Sequence, residues 1–212
     1  FGAEVILVDD MTQAFPTMEE IAAAEDRSVI HPFEGQATMQ GTGTVGLEIA
    51  ESITDLDAVV VAIGGGGLIS GVGSALKALQ PSLTLYGVEP VGASGMSQSL
   101  ALGKPLEKVK VDTIADSIGA PLHCPESFAV CQNVIDDIVL LNDDELCQGM
   151  AIAFDRLKFS LEAAGAAVLA AIAGPLKDRL KGKRTAAILC GSNIDEASWQ
   201  QLIERGRRSQ PA

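Results

Sequence analysis

Short apolar runs rich in β-branched residues alternate along the chain with longer stretches whose apolar residues recur three and four apart. That alternation predicts an α/β domain built on a parallel sheet, whose strands are covered on both faces and read as unbroken apolar runs. Strands are predicted at 4–8, 57–63, 83–89, 137–141 and 185–190. Val45, Ile49 and Ile53 mark the stripe of one helix between them, and Leu68, Val72, Leu76 and Leu79 that of the next. Asn142 followed by Glu145 has capping-box spacing and opens a helix with the stripe Leu146, Met150, Phe154, Leu157 and Leu161. Asp195 is placed to cap a last helix carrying Trp199, Leu202 and Ile203. Arg205, Arg207 and Arg208 then fall at its negative end.

The start of the chain conflicts with this pattern. Phe1, Gly2 and Ala3 run straight into a predicted strand, and the nearest strand able to pair with it lies far downstream. A parallel strand needs neighbours delivered by crossovers, so the chain reads as though it begins inside a domain. An artificial boundary and a natural truncation fit that start equally.

Composition narrows the function classes. The 212 residues carry 15 Lys+Arg against 28 Asp+Glu, a formal charge of −13, with 47% hydrophobic and 20% charged residues. These values describe a folded globular chain of one domain, or one and a half, with a sizeable core. Its acidic balance, one Trp and one Tyr exclude a nucleic-acid binder, which needs a basic face and stacking aromatics. No apolar run approaches a membrane span, and no cleavable leader is present, so a soluble cytoplasmic protein is expected. Cysteines 124, 131, 147 and 190 form no C-x-x-C pair and have only His31 and His123 as companions. Reduced thiols are expected, with no zinc site.

The sharpest feature is the sequence DAVVVAIGGGGLISGVGSAL at 57–76, a buried strand passing through Gly64, Gly65, Gly66 and Gly67 into a helix. Backbone without Cβ atoms can turn tightly and present successive N–H groups at a helix N-terminus, which is a phosphate site. A plain strand-to-helix turn needs only one or two glycines, so four favour anion binding. A dinucleotide fingerprint is absent, because the third glycine position falls on Ile69 or Ser70; Glu89 would otherwise suit its ribose-binding acid. The G-x-x-x-x-G-K loop of nucleotide triphosphate sites is absent too.

Further segments decide among phosphate ligands. HPFEGQATMQGTGTVGLEI at 31–49, the four glycines, YGVEP at 86–90, TIADSIGAP at 113–121, KFSLEAAGAA at 158–167 and AILCGSNID at 187–195 follow one another in order. In this the chain resembles the fold-type II pyridoxal-phosphate enzymes, and among them the threonine/serine dehydratases, over essentially its whole length. The resemblance implies the three-layer parallel-sheet large domain of the tryptophan synthase β-like family. Residues 37–212 would be that cofactor-binding domain, and residues 1–36 a remnant of the small domain with the interdomain crossover.

Site roles follow from the same resemblance. Gly64, Gly65, Gly66 and Gly67 with the N–H of Leu68 would cup the phosphate of pyridoxal 5′-phosphate. Cys190 would stand against the pyridine nitrogen, Asn193 would order that loop, and Glu162 would lie near the ring. Without the motif Cys190 reads as a buried strand-end cysteine, and Glu162 as an exposed helix glutamate. Residues 40–44 (Gln-Gly-Thr-Gly-Thr) resemble a segment facing the substrate side of the cofactor; read alone they are a glycine-rich hinge with Thr42 or Thr44 as helix cap. Asp112 and Asp116 sit where some relatives bind a divalent cation, but two carboxylates four apart are ordinarily solvated, so no metal is assigned. The two histidines receive no catalytic role.

One departure stands out. The family's Schiff-base lysine, in a motif like S-F-K-x-R-G-A, and its S-x-G-N-H substrate loop occur nowhere in the sequence. No catalytic residue is therefore assigned, and the chain alone is expected to be inactive. The expected family reaction converts L-threonine or L-serine to a 2-oxo acid and ammonia. The alternatives are a non-catalytic phosphate- or cofactor-binding or assembly module, and a β-replacing synthase of the same fold. A homodimer or larger assembly is expected, from the surface that a missing segment would leave uncovered.

Overall fold

The computed structural model describes residues 2–9 and 11–209, divided into two compact units, Phe1–Pro32 and Phe33–Ala212. The first unit holds α1 (Met11–Glu25) between two extended stretches. One of these is the predicted strand 4–8, which joins no sheet among the described residues and leaves Val5 and Leu7 exposed. Among the described residues no strand pairs with it to take up its backbone groups. In the same unit His31 stacks on Phe15, with ring centroids 4.8 Å apart.

The second unit begins with α2 (Gln36–Ser52) and then alternates strand and helix. Strand β1 (Ala58–Ala62) leads through the glycine turn into α3 (Gly67–Leu79), and β2 (Thr84–Pro90) into α4 (Gly95–Leu102) and α5 (Pro125–Val134). Strand β3 (Asp137–Leu141) leads into α6 (Asp143–Ile152), which continues as a π-helical turn at Ala153–Leu157. Helix α7 (Ala163–Ala173), β4 (Thr185–Ala187) and α8 (Glu196–Arg208) complete it. All strand pairs are parallel, in the order β3-β2-β1-β4.

Alternate β1 residues explain the three layers. Ala58, Val60 and Ala62 join a cluster with Leu146 and Met150 of α6 and Val168 of α7. Val59 and Val61 face the opposite way, into a cluster with Ile69, Val72 and Leu76 of α3 and Phe128 of α5. All five β1 residues are buried, as an unbroken apolar run requires.

The predicted caps hold. Asn142 accepts from the Glu145 amide at 3.0 Å while the Glu145 carboxylate accepts from the Asn142 amide at 2.7 Å. Asp195 accepts from the Ser198 amide at 3.0 Å. The helical stripes run past the buried faces: Leu79, the last residue of α3, and Leu157, in the π turn, are exposed, and Leu161 is buried beyond the π turn rather than on α6. Of the predicted stripe Val45, Ile49 and Ile53, Ile49 packs against the β1–α3 cluster, while Val45 and the C-cap Ile53 are exposed; Gly46 is the buried residue of α2.

Candidate functional site at the ends of the two central strands

The strand order reverses at β1. The chain moves outward on one side through β2 and β3, then returns to the other side of β1 as β4. Open parallel sheets place ligands at such a switch point, beyond the carboxyl ends of the strands. The register Ala58↔Thr185, Val59↔Ala186 and Val60↔Ala187 brings both strands out together, and the Ile188 amide still donates to Val60 O at 3.2 Å. From β1 emerges Gly64–Gly67; from β4 emerges the loop bearing Cys190 and Asn193.

Each turn glycine is tightly packed. A Cβ on Gly64 would lie 3.1 Å from Ile118 Cα, and on Gly65 2.1 Å from the Phe33 ring. On Gly66 it would lie 2.8 Å from Met96 Cε, and on Gly67 2.6 Å from Phe33 Cα. Gly66 also takes φ +99°, a left-handed conformation that side chains disfavour. Protein packing alone therefore accounts for all four glycines, and their number is not evidence for an anion. The evidence is in the amides: among the described residues, the N–H groups of Gly64 through Ile69 donate to no protein acceptor. Successive unpaired donors at the head of a thirteen-residue helix could hold an anion.

Other segments close round the turn. Glu162, 8% exposed, stands at the N-cap of α7, where its carboxylate accepts from Ser117 Oγ at 3.1 Å and its amide donates to Gly191 O at 3.3 Å. Gly165 permits that approach, since a Cβ there would lie 2.4 Å from Gly191 O. Cys190 is exposed as a residue, yet loss of hydration around its sulfur raises the thiol pKa, and the Glu162 charge adds to the rise. The sulfur is thus kept a neutral thiol. Asn193 is exposed and, with Asp116, Glu162, Asp195, Ser198 and Gln201, lines a cleft of about 440 Å³. The lining of this cleft includes neither Cys190 nor any glycine of the turn.

Several sequence expectations separate from the site. Residues 40–44 are neither a loop nor a hinge: they lie inside α2, from which Thr42 donates to Gly67 O of the turn at 2.8 Å. Just beyond them Gly46 admits α3: a Cβ there would lie 2.6 Å from Val72 O. Thr44 caps no helix; its hydroxyl donates to Gly41 O at 2.7 Å. Asp112 pairs with Lys110 at 3.0 Å, and Asp116 Oδ1 accepts from the Ser117 amide at 2.9 Å. His123 is buried with Nδ1 unpartnered among the described residues, and burial lowers its pKa to about 4, so it stays neutral.

Two carboxylates, buried Glu89 and partly buried Glu34, cap helices in a way the sequence did not suggest. Glu89 is fully buried and accepts from the amides of Met96 and Ser97 at 2.7 and 2.9 Å and from Ser97 Oγ at 2.6 Å, which caps α4. Burial raises its pKa despite these bonds. Glu34 caps α5 in the same way, accepting from the amides of Glu126 and Ser127 at 2.8 and 3.0 Å. Neither acid lies within its helix's own cap positions, so local spacing gave no signal.

The profile of the family described as "Pyridoxal-phosphate dependent enzyme" matches residues 1–191. The chain belongs to this family. It is 42% identical to a phenylserine dehydratase of Ralstonia pickettii over 97% of its own length and 63% of the relative's. Against a biosynthetic L-threonine dehydratase of Halalkalibacterium halodurans the identity is 36%, over 95% of this chain and 49% of the other. The processed form of threonine deaminase isoform 2 from Solanum lycopersicum superposes with a TM-score of 0.89 at 31% identity, covering 97% of this chain and 57% of that one. The chain thus spans about half to three-fifths of the length of these dehydratase relatives. Its pyridoxal-phosphate family membership, threonine/serine dehydratase-like character and fold-type II architecture agree with the reading of its motifs. No helix among the described residues is long and apolar enough to cross a membrane.

Proposed function

We propose that residues 37–212 are the cofactor domain of a threonine/serine dehydratase-like enzyme, with residues 1–36 belonging to its small domain and crossover. The unpaired amides of Gly64 through Leu68 carry this reading, because they fit the phosphate of pyridoxal 5′-phosphate without a basic side chain. When bound, that cofactor supplies an electron sink for charge developing at a substrate's α-carbon, so that a β-hydroxyl group can leave.

The chain's own residues bind and orient. The glycine-turn amides and the positive end of α3 neutralise the phosphate dianion. Cys190, kept as a neutral thiol, offers the pyridine nitrogen a weak uncharged partner, and Glu162 stands beside it, fixed by Ser117. Asn193 orders the loop. The eight lysines of the sequence occur in no motif of the cofactor-bearing kind; Lys77, for one, pairs with Asp136 beyond the far end of α3. Turnover of L-serine or L-threonine therefore needs a lysine supplied from outside residues 1–212, and this chain alone is inactive. A homodimer or larger assembly in the cytoplasm suits the apolar residues exposed on the first unit, Val5, Leu7 and Ile30.

Titration of the purified chain with pyridoxal 5′-phosphate, followed by absorbance and by ³¹P NMR, tests the reading. One site per chain is expected, with no single lysine labelled after borohydride reduction and no 2-oxo acid formed from either amino acid. Failure to bind removes the cup from the proposal. Stoichiometric labelling of one lysine together with turnover overturns the inactivity.

A further inference from the structure

We propose that Ser127, Cys131 and Thr42 are positioning residues of the phosphate cup, holding the carbonyls of Gly65, Gly66 and Gly67 inward so that the next amides point out. The inference rests on the reading of residues 64–68 as a phosphate site and adds how that site is held in shape. In a trans peptide the C=O of one residue and the N–H of the next lie in one plane and point opposite ways. Fixing three successive carbonyls therefore aims the amides of Gly66, Gly67 and Leu68.

The three anchors come from two helices outside the turn. Ser127 Oγ lies 3.4 Å from both Gly65 O and Cys124 O, the N-cap of its own helix, and Cys131 Sγ lies 3.7 Å from Gly66 O; both residues are buried, one helical turn apart on α5. The sulfur can donate there because burial, with the charges of Glu89 and Glu34 adding, pushes the Cys131 thiol up to about 12. Thr42 of α2 donates to Gly67 O at 2.8 Å, shorter than its distances of 3.1 and 3.2 Å to Thr38 O and Met39 O in its own helix. Ser70 Oγ reaches the same Gly67 carbonyl at 3.1 Å.

Two features outside the contacts support the assignment. Gly71 makes room for the Thr42 hydroxyl: a Cβ at 71 would lie 2.1 Å from Thr42 Oγ1. Glu34, by capping the first turn of α5, fixes the helix that carries Ser127 and Cys131. An ordinary helical threonine bonds back to its own helix and needs neither the glycine nor the shorter cross-helix bond.

The test measures the affinity of the intact chain for inorganic phosphate and for pyridoxal 5′-phosphate, by ³¹P NMR and absorbance, with thermal unfolding recorded alongside. Thr42→Val keeps the branched shape and removes the donor; binding of both probes should weaken about three- to tenfold, the worth of one neutral hydrogen bond. Thr42→Ser should restore it. Thr44→Val removes a hydroxyl of the same helix that reaches no part of the turn, and should bind as wild type. Ser127→Ala and Cys131→Ala should weaken binding in the same sense, and they carry the test if Thr42→Val fails to fold. Equal affinity in wild type and the folded variants overturns the positioning role while the cup stands. A wild type that binds neither probe overturns the cup itself, and the positioning role with it.

Discussion

Two glycine-rich stretches, 41–46 and 64–67, use their backbone amides in opposite ways. In the first, Gly46 lets a continuous helix α2 press on α3, and the helix's own bonds use the backbone amides. In the second, glycines also meet close neighbours, but the chain there is passing from strand to helix and its amides have no protein acceptor among the described residues. Gly46 and the four turn glycines thus report close approach, whereas Gly41 meets nothing within 4 Å. Donors are left over only where the secondary structure changes.

Substitutions can break this comparison, beginning with the α3 glycine that faces the first stretch. Gly71→Val would press a branched side chain on Thr42 Oγ1, Met39 O and Gly43 N, whose distances from a Cβ would be 2.1, 2.3 and 2.7 Å. Loss of about 3 kcal/mol or more is expected, read by chemical denaturation. A loss below 1 kcal/mol would mean that the helices can part there.

Acid separates stability from binding. His123 is 4% exposed, and its folded pKa of about 4 lies below the ordinary 6.5. Between those values the unfolded chain binds the proton and the folded chain does not, so stability falls as pH falls from 6.5 to 4. The expected loss is about 3 kcal/mol, and His123→Met should flatten it. An unchanged slope in that variant would assign the acid sensitivity to other groups.

Leu68→Pro removes one amide of the cup. Proline is tolerated in the first helical turn and deletes one N–H. Phosphate affinity should drop about tenfold or more, a loss of about 1.5–3 kcal/mol for a bond to a charged group, relative to Leu68→Ala, which gives up the same packing against the β1–α3 cluster and keeps the amide. Unchanged affinity would exclude the Leu68 amide as a ligand. The smallest effect has the opposite sign. Gly41 is exposed within α2, and a Cβ there meets nothing within 4 Å. Gly41→Ala should therefore stabilise by about 0.5–1 kcal/mol through helix propensity and leave phosphate binding unchanged.

The central architecture was legible because burial on both faces writes itself into consecutive residues. Strand β3 falls where its apolar run lies, β1 and β2 within a residue, and β4 stops short at Ala187 because the chain turns away after Ile188. The segment 4–8 has the same apolar signal but no neighbour, and a strand is defined by its partner. The glycine turn was legible from the buried strand before it. The carbonyl anchors were not, since a serine and a cysteine on α5 resemble any other helix residues until the fold brings them beneath residues some sixty positions earlier. Residues 40–44 misled because their glycines suggest a break, whereas packing against α3 keeps the helix continuous.

Strand β4 also sets the order in which this protein can be built. Its pairing with β1 joins Ala58 to Thr185, whereas β1–β2 and β2–β3 join residues much nearer in sequence. During synthesis the strands β1, β2 and β3 can assemble while residues beyond 185 are still inside the ribosome. The glycine turn then stands in place before the loop bearing Cys190 exists, and the long-range closure is the slow, late event. Until it occurs one flank of the most buried strand in the sheet is bare, and in that interval the nascent chain is most exposed to aggregation.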